Sequence, residues 1–243
     1  MVKTILRSPI TSVVLFLAAA ALIVAGSVGA AQAAPRIVSN DYRAEAQLTN
    51  IHVALTENGI IRENMDEDAH VHAAEGYEHT LLTQLVPAGE SFEVGRTYAE
   101  ELGVRNVGEA ATNGIDQYVR VTVSKYWVDE NGNKDQSLDP SLIDLHFVEG
   151  NGWTIDRAAS TPERVVLYYA TPLAAQGNET AAIPCDTTPF TDTLTIKNAV
   201  LTDTRDDGTL AYKGRTFEIK AVADAVQTHN AEDAMTGAWG RTN

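Results

Sequence analysis

The chain of 243 residues carries 33 Asp+Glu against 18 Lys+Arg, a formal net charge of −15. That charge repels nucleic acid and anionic membrane surfaces, so neither is expected as a partner. The single cysteine, Cys185, cannot close an intrachain disulfide, so stability rests on burial, on backbone pairing or on a partner.

Lys3 and Arg7 precede an unbroken apolar run from Val13 to Ala25, and Ala31-Gln32-Ala33 follows it. A basic stretch, an apolar core and small residues at −3 and −1 make a secretory signal, predicted over residues 1–33 with cleavage before Ala34. A cut one residue later would put Pro35 at the +1 position. An uncleaved anchor is the competing reading, because only Ser27 is polar between Val13 and Ala31, enough to span a bilayer. Cleavage removes two positive charges and no negative ones, and delivers a mature chain with no membrane attachment outside the cytoplasm. Its length suits one domain with a sizeable core, placed at residues 49–243.

The mature chain reads as short strands separated by turns. Strands are predicted at Ile51 to Leu55, Phe92 to Tyr98, Leu102 to Asn106, Tyr118 to Val128, Ile143 to Val148, Arg164 to Ala170, Asp192 to Leu201 and Thr216 to Val226. The clearest is Tyr118 to Val128, where Val119, Val121 and Val123 alternate with Arg120, Thr122 and Ser124. Thr191, Thr193, Thr195 and Phe217, Ile219, Ala221 are read as keeping the same alternation. Asn131-Gly132 supplies a tight turn after Val128. Residues 62–80 are charged and weakly periodic, expected as a long loop or partly helical insertion. Asn230 followed by Glu232 and Asp233 predicts an N-capped helix reaching about Trp239. The pattern indicates a mostly β fold, a β-sandwich with a few short peripheral helices.

Chemistry-bearing motifs are scarce. His70-Val71-His72 with Glu75, Glu78 and His79 is the only histidine cluster, and His-Glu-x-x-His is absent. Asp129 to Asp135 loosely resembles a calcium loop, but Pro140 occupies its twelfth position, where a bidentate acid is required. Asp203, Asp206 and Asp207 read as a turn. There is no Gly-x-Ser-x-Gly elbow and no phosphate loop. Asp186 beside Cys185 raises a thiol's pKa, the wrong direction for a nucleophile. Trp127, Trp153, Trp239, Tyr168 and Tyr169 are read as core or interface aromatics in preference to a sugar platform. No catalytic residue, metal ligand or cofactor is expected.

Four blocks in order resemble the family of the biofilm fibre protein TasA and the surface protein camelysin. They are Asn50 to Gly59, with Glu57 at a strand end; Val86-Pro87-Ala88-Gly89-Glu90 through Val104-Arg105-Asn106-Val107-Gly108 to Gln117-Tyr118-Val119-Arg120-Val121; Tyr168 to Leu173 with Glu179-Thr180; and Ala223 to Gln227 leading to Ala238-Trp239. Residues 62–80 match no part of the family pattern. The resemblance implies a secreted jelly-roll subunit of extracellular matrix or cell-surface fibres. Its first partner would be itself, head to tail, with accessory matrix or anchoring proteins as further partners. It also implies a donor strand exposed by signal cleavage, here within residues 34–48, with Ile37, Val38 and Tyr42 as apolar plugs and Pro35 limiting pairing at the tip. The alternatives are that this segment is the first strand of its own sandwich or a frayed terminus, that the protein is a monomeric binding module or adhesin, or that it is a camelysin-like metallopeptidase.

Overall fold

The computed structural model describes residues 51–61, 81–82 and 85–241. The chain divides into two compact units, Met1–Arg43 and Ala44–Asn243, and all described residues belong to the second. The predicted signal segment, the 62–80 insertion and Pro35, Ile37, Val38 and Tyr42 lie outside the described residues.

The described chain is mostly β. Its strands are β1 (Val53–Glu57), β2 (Ile60–Ile61), β3 (Thr97–Ala99), β4 (Leu102–Asn106), β5 (Gln117–Val128), β6 (Ile143–Phe147), β7 (Trp153–Ile155), β8 (Arg164–Tyr169), β9 (Thr191–Ile196) and β10 (Thr216–Gln227). One α-helix, α1 (Ala231–Trp239), follows them. All strand pairs are antiparallel and form three sheets, ordered β2-β1-β4, β10-β5-β8-β7 and β3-β9-β6. Two of these sheets join side by side. The segment before β9 runs along β4, with Thr187 N donating to Val104 O (2.8 Å) and Phe190 N to Leu102 O (2.7 Å).

The valine alternation of β5 does what its period requires. Val119, Val121 and Val123 are fully buried while Arg120, Thr122 and Ser124 are partly exposed. They share one core with Leu55 of β1, Leu102 and Val104 of β4, Leu145 of β6, Leu194 of β9 and Ile219 of β10. Each fully buried large apolar side chain contributes about 1.5–3 kcal/mol. Asp129 then closes the turn: its Oδ1 accepts from Asn131 N and Asn133 N, and Gly132 takes the positive φ of 82°.

Four expectations are corrected. Phe92–Tyr98 is not one strand: Arg96 N donates back to Glu93 O and Gly95 sits at φ 84°, so pairing starts only at Thr97. The strand expected from Asp192 to Leu201 ends at Ile196 and continues as a 3₁₀ turn, Asn198–Leu201. Thr191 does not share a face with Thr193 and Thr195. The register steps from His146↔Thr193 to Phe147↔Thr191, so Asp192 is a bulged residue and Thr191 turns inward with Leu194. Finally, Asn230 precedes α1 in the left-handed conformation and makes no side-chain cap. Two strands, β2 and β7, were not expected; at two and three residues they are too short to show a period.

Candidate assembly surface

The family-like blocks converge on one buried polar junction. Asn106, the last residue of β4, and Gln117, the first of β5, are both completely buried. Asn106 Nδ2 donates to Ile115 O (2.9 Å) and Leu173 O (3.2 Å), while its Oδ1 accepts from Gly108 N (3.0 Å) and Gln117 Nε2 (2.5 Å). Gln117 Nε2 also donates to His52 O at 2.9 Å. Three of the four blocks therefore meet at one amide pair, which sets how β1, β5 and the Leu173 segment join. Buried amides need such partners, since an orphaned polar group costs about 1–3 kcal/mol; Gln117 Oε1 is buried at this junction without a hydrogen bond among the described residues. Glu57, also fully buried, accepts from Leu82 N at 2.5 Å. Arg105 forks onto Asp186, Nε–Oδ1 2.5 Å and Nη2–Oδ2 2.8 Å.

The fourth block fastens α1 to the outer face of the β5 sheet. Arg120 donates to Asp224 Oδ2 (2.7 Å), and its guanidinium lies 5.6 Å from the centre of the Trp239 ring. Trp239 meets Tyr168 edge-on at 5.5 Å, and Arg241 covers Tyr168 at 4.4 Å while bonding Asp156. Trp127, Trp153, Tyr168 and Tyr169 are all buried, so these aromatics form core and helix contacts and no open platform.

The candidate surface is the far edge of β10. β5 and β10 pair residue for residue from Thr216↔Val128 to Gln227↔Gln117. Odd residues of β5 direct their N–H groups away from β10, as Gln117 N to Leu173 O and Lys125 N to Glu163 O show. Even residues therefore form the hydrogen-bonded pairs with β10. It follows that odd residues of β10, Phe217 to Gln227, aim their backbone N–H and C=O outward at the sheet edge. Among the described residues no strand pairs with that edge. The same odd residues turn their side chains to the core, and there they become small: Ala221, Ala223, Ala225. Ala223 and Ala225 pack on the core yet remain only half-buried. This flank of the core is incompletely covered.

Other sequence candidates disperse. The cluster of His70, His72, His79, Glu75 and Glu78 lies outside the described residues. Among the described residues no group of three or more His, Cys, Asp or Glu is arranged to hold a metal ion. Cys185 is half-buried, and burial pushes its thiol pKa up, with Asp186 and Glu179 adding to it against Arg105. His146 Nδ1 and Asp192 Oδ1 lie 2.7 Å apart on an exposed sheet face, with Thr193 Oγ1 bonded to the same carboxylate oxygen and not to the imidazole. That arrangement activates no nucleophile. No helix among the described residues is long and apolar enough to cross a membrane.

Fold and surface together define the class: a mostly β, antiparallel protein with one long open sheet edge among its described residues. Comparison with protein-family profiles, with curated proteins and with solved structures returns no match to this chain.

Proposed function

We propose that this is a secreted, non-enzymatic subunit of extracellular fibres, in a biofilm matrix or on a cell surface. Its strands would wind as a jelly-roll sandwich, and copies would join head to tail by strand addition. Residues 34–44, exposed after signal cleavage, leave their own subunit and lie along β10 of the next copy. The observation carrying this reading is the twelve-residue edge of β10, unpaired among the described residues and backed by half-covered alanines. A long strand edge without proline is a template for another strand. Backbone pairing would fill the outward N–H and C=O groups from Phe217 to Gln227. Each such bond contributes about 0.5–1.5 kcal/mol net. Adjacent side chains of a strand face opposite ways, so either Ile37 or Val38, inserted beside Ala223 and Ala225, would add about 1.5–3 kcal/mol if fully buried. The plugs therefore outweigh any single backbone bond.

Electron microscopy of the mature chain beginning at Ala34 tests this. Fibres are expected from that chain, and none from a chain lacking residues 34–44. The truncated chain should retain the same circular-dichroism spectrum. A peptide copying residues 34–44 should slow fibre growth by capping the open edge. Normal fibres from the truncated chain would rule out strand donation. A monomeric binding module is the second reading, favoured by an apolar cavity at the start of β10.

A further inference from the structure

That cavity, of about 420 Å³, opens between the 3₁₀ turn after β9, the loop before β3 and the chain leading into β10. Its walls include Phe92, Trp127, Tyr212, Phe217, Leu201 and Leu210. Three of these, Phe92, Leu201 and Leu210, are 36%, 56% and 44% exposed, and they gather half of the large exposed hydrophobic residues described in the protein at one mouth. Scattered exposed leucines need no explanation, whereas a concave group of them marks a binding surface.

The wall is held rigid by bonds pointing away from the cavity. Trp127 Nε1 donates to Asp139 O (2.8 Å), and Tyr212 Oη accepts from Asp139 N (3.1 Å). The two rings meet edge-to-face at 4.8 Å, and Trp127 meets Phe217 in the same way at 6.2 Å. Both polar groups are thus satisfied elsewhere, and the lining is mostly apolar. The rim is different. Arg215 is engaged by Asp135, Nε–Oδ2 3.1 Å, with both side chains only 15% exposed. Lys213 lines the mouth and forms no ion pair among the described residues; Glu130, against the adjoining Gly214, does not pair with it. Lys213 thus places an uncommitted cation at the mouth of an apolar cavity.

We propose that this cavity binds a small amphipathic anion, a carboxylate carrying an apolar tail or ring. The apolar part lies against Trp127 and Phe217, and the head group meets Lys213. Its volume falls within the usual range for small-molecule pockets, roughly 300–1,000 Å³. Lys213 supplies the head-group preference, and the aromatic wall supplies the affinity. The inference stands apart from the assembly reading, because it uses the side chain of Phe217 and not the outward backbone of β10.

The test is titration of the mature chain with decanoate, 1-decanol and decyltrimethylammonium. It is followed by calorimetry and by tryptophan emission, since Trp127 is the only tryptophan lining the cavity. Decanoate should bind one to one and change the emission. Trp127→Phe should abolish the optical response while heat of binding persists. Lys213→Glu should weaken decanoate by about fivefold, the scale of one exposed charge contact, and should improve the ammonium compound. Leu201→Asp and Leu210→Asp, both at exposed positions, should weaken it by about tenfold or more. Ile60→Asp, an equally exposed apolar position elsewhere, should leave binding unchanged. Equal affinity for all three head groups, or indifference to Lys213→Glu, would overturn the anion assignment. Absence of saturable binding, insensitivity to Leu201→Asp, or a dimer in light scattering that Leu201→Asp dissolves, would overturn the site.

Discussion

β5 and β10 are the same length, twelve residues each, and pair along their whole extent. Yet they occupy opposite situations. β5 is flanked on both sides, by β10 and β8, and its core-facing valines are sealed. β10 is flanked on one side among the described residues, and its core-facing residues shrink to half-covered alanines. Period-two alternation reports which face of a strand meets the core and says nothing about which edge meets another strand. The two strands therefore share one alternation, although β5 carries valines where β10 carries alanines.

The comparison breaks most severely at β5. Val121→Asp would bury a carboxylate without a partner in the middle of the core, at a cost on the order of 4–5 kcal/mol or more. Loss of the cooperative thermal transition should follow; a transition retained within a few degrees of wild type would show that this face of β5 is not sealed. Asn106→Leu is next. It strips Gly108 N and Gln117 Nε2 of an acceptor in a fully buried junction, and should destabilise by about 1–3 kcal/mol in urea unfolding. Ala223→Asp on β10 should cost less, about 1 kcal/mol, because the site is half-open to water. Its larger effect should be on assembly: a folded subunit that forms no fibres under the electron microscope. A fall in stability matching that of Val121→Asp would mean that β10 is not an edge at all.

The smallest effect concerns pH. Burial lowers the His52 imidazole pKa below its ordinary value. As pH falls below about 6.5, the unfolded chain takes up the proton before the folded one does. Stability from this group is thus fully present above that pH and is lost as pH falls through the lowered folded value. His52→Gln should lose less stability than wild type between pH 7.5 and pH 5 in denaturant titrations. The backbone carbonyl at 52, which accepts from Gln117 and from Val107 N, is kept in that variant. An identical pH slope in both proteins would remove His52 as the source.

Much of the fold was legible residue by residue. β4 matches its predicted bounds, β5 and β10 match to within a residue, and the turn at Asp129 forms as its Asn-Gly pair requires. Where the reading failed, a local pattern was overruled by something not local. The turn at Gly95 delayed the start of β3 to Thr97, and one bulged residue, Asp192, put Thr191 on the opposite face from Thr193 and Thr195. Lys125 stands on the core face of β5, where alternation expects an apolar residue. It is tolerated because its ammonium donates to the carbonyls of Pro140 and Ile143, and burial lowers its pKa.

The sequence by itself determined the β class, the turns and the inward faces of the long strands, because these follow from side-chain period and from the φ preferences of single residues. Only the tertiary structure decided that Asn106, Gln117, His52 and Leu173 share one junction, that β10 is an edge among the described strands, and that Trp127, Tyr212 and Phe217 wall a cavity beside Lys213. These depend on contacts between residues tens of positions apart. No local periodicity encodes which strand becomes whose neighbour, since that choice is made by the whole core as it closes.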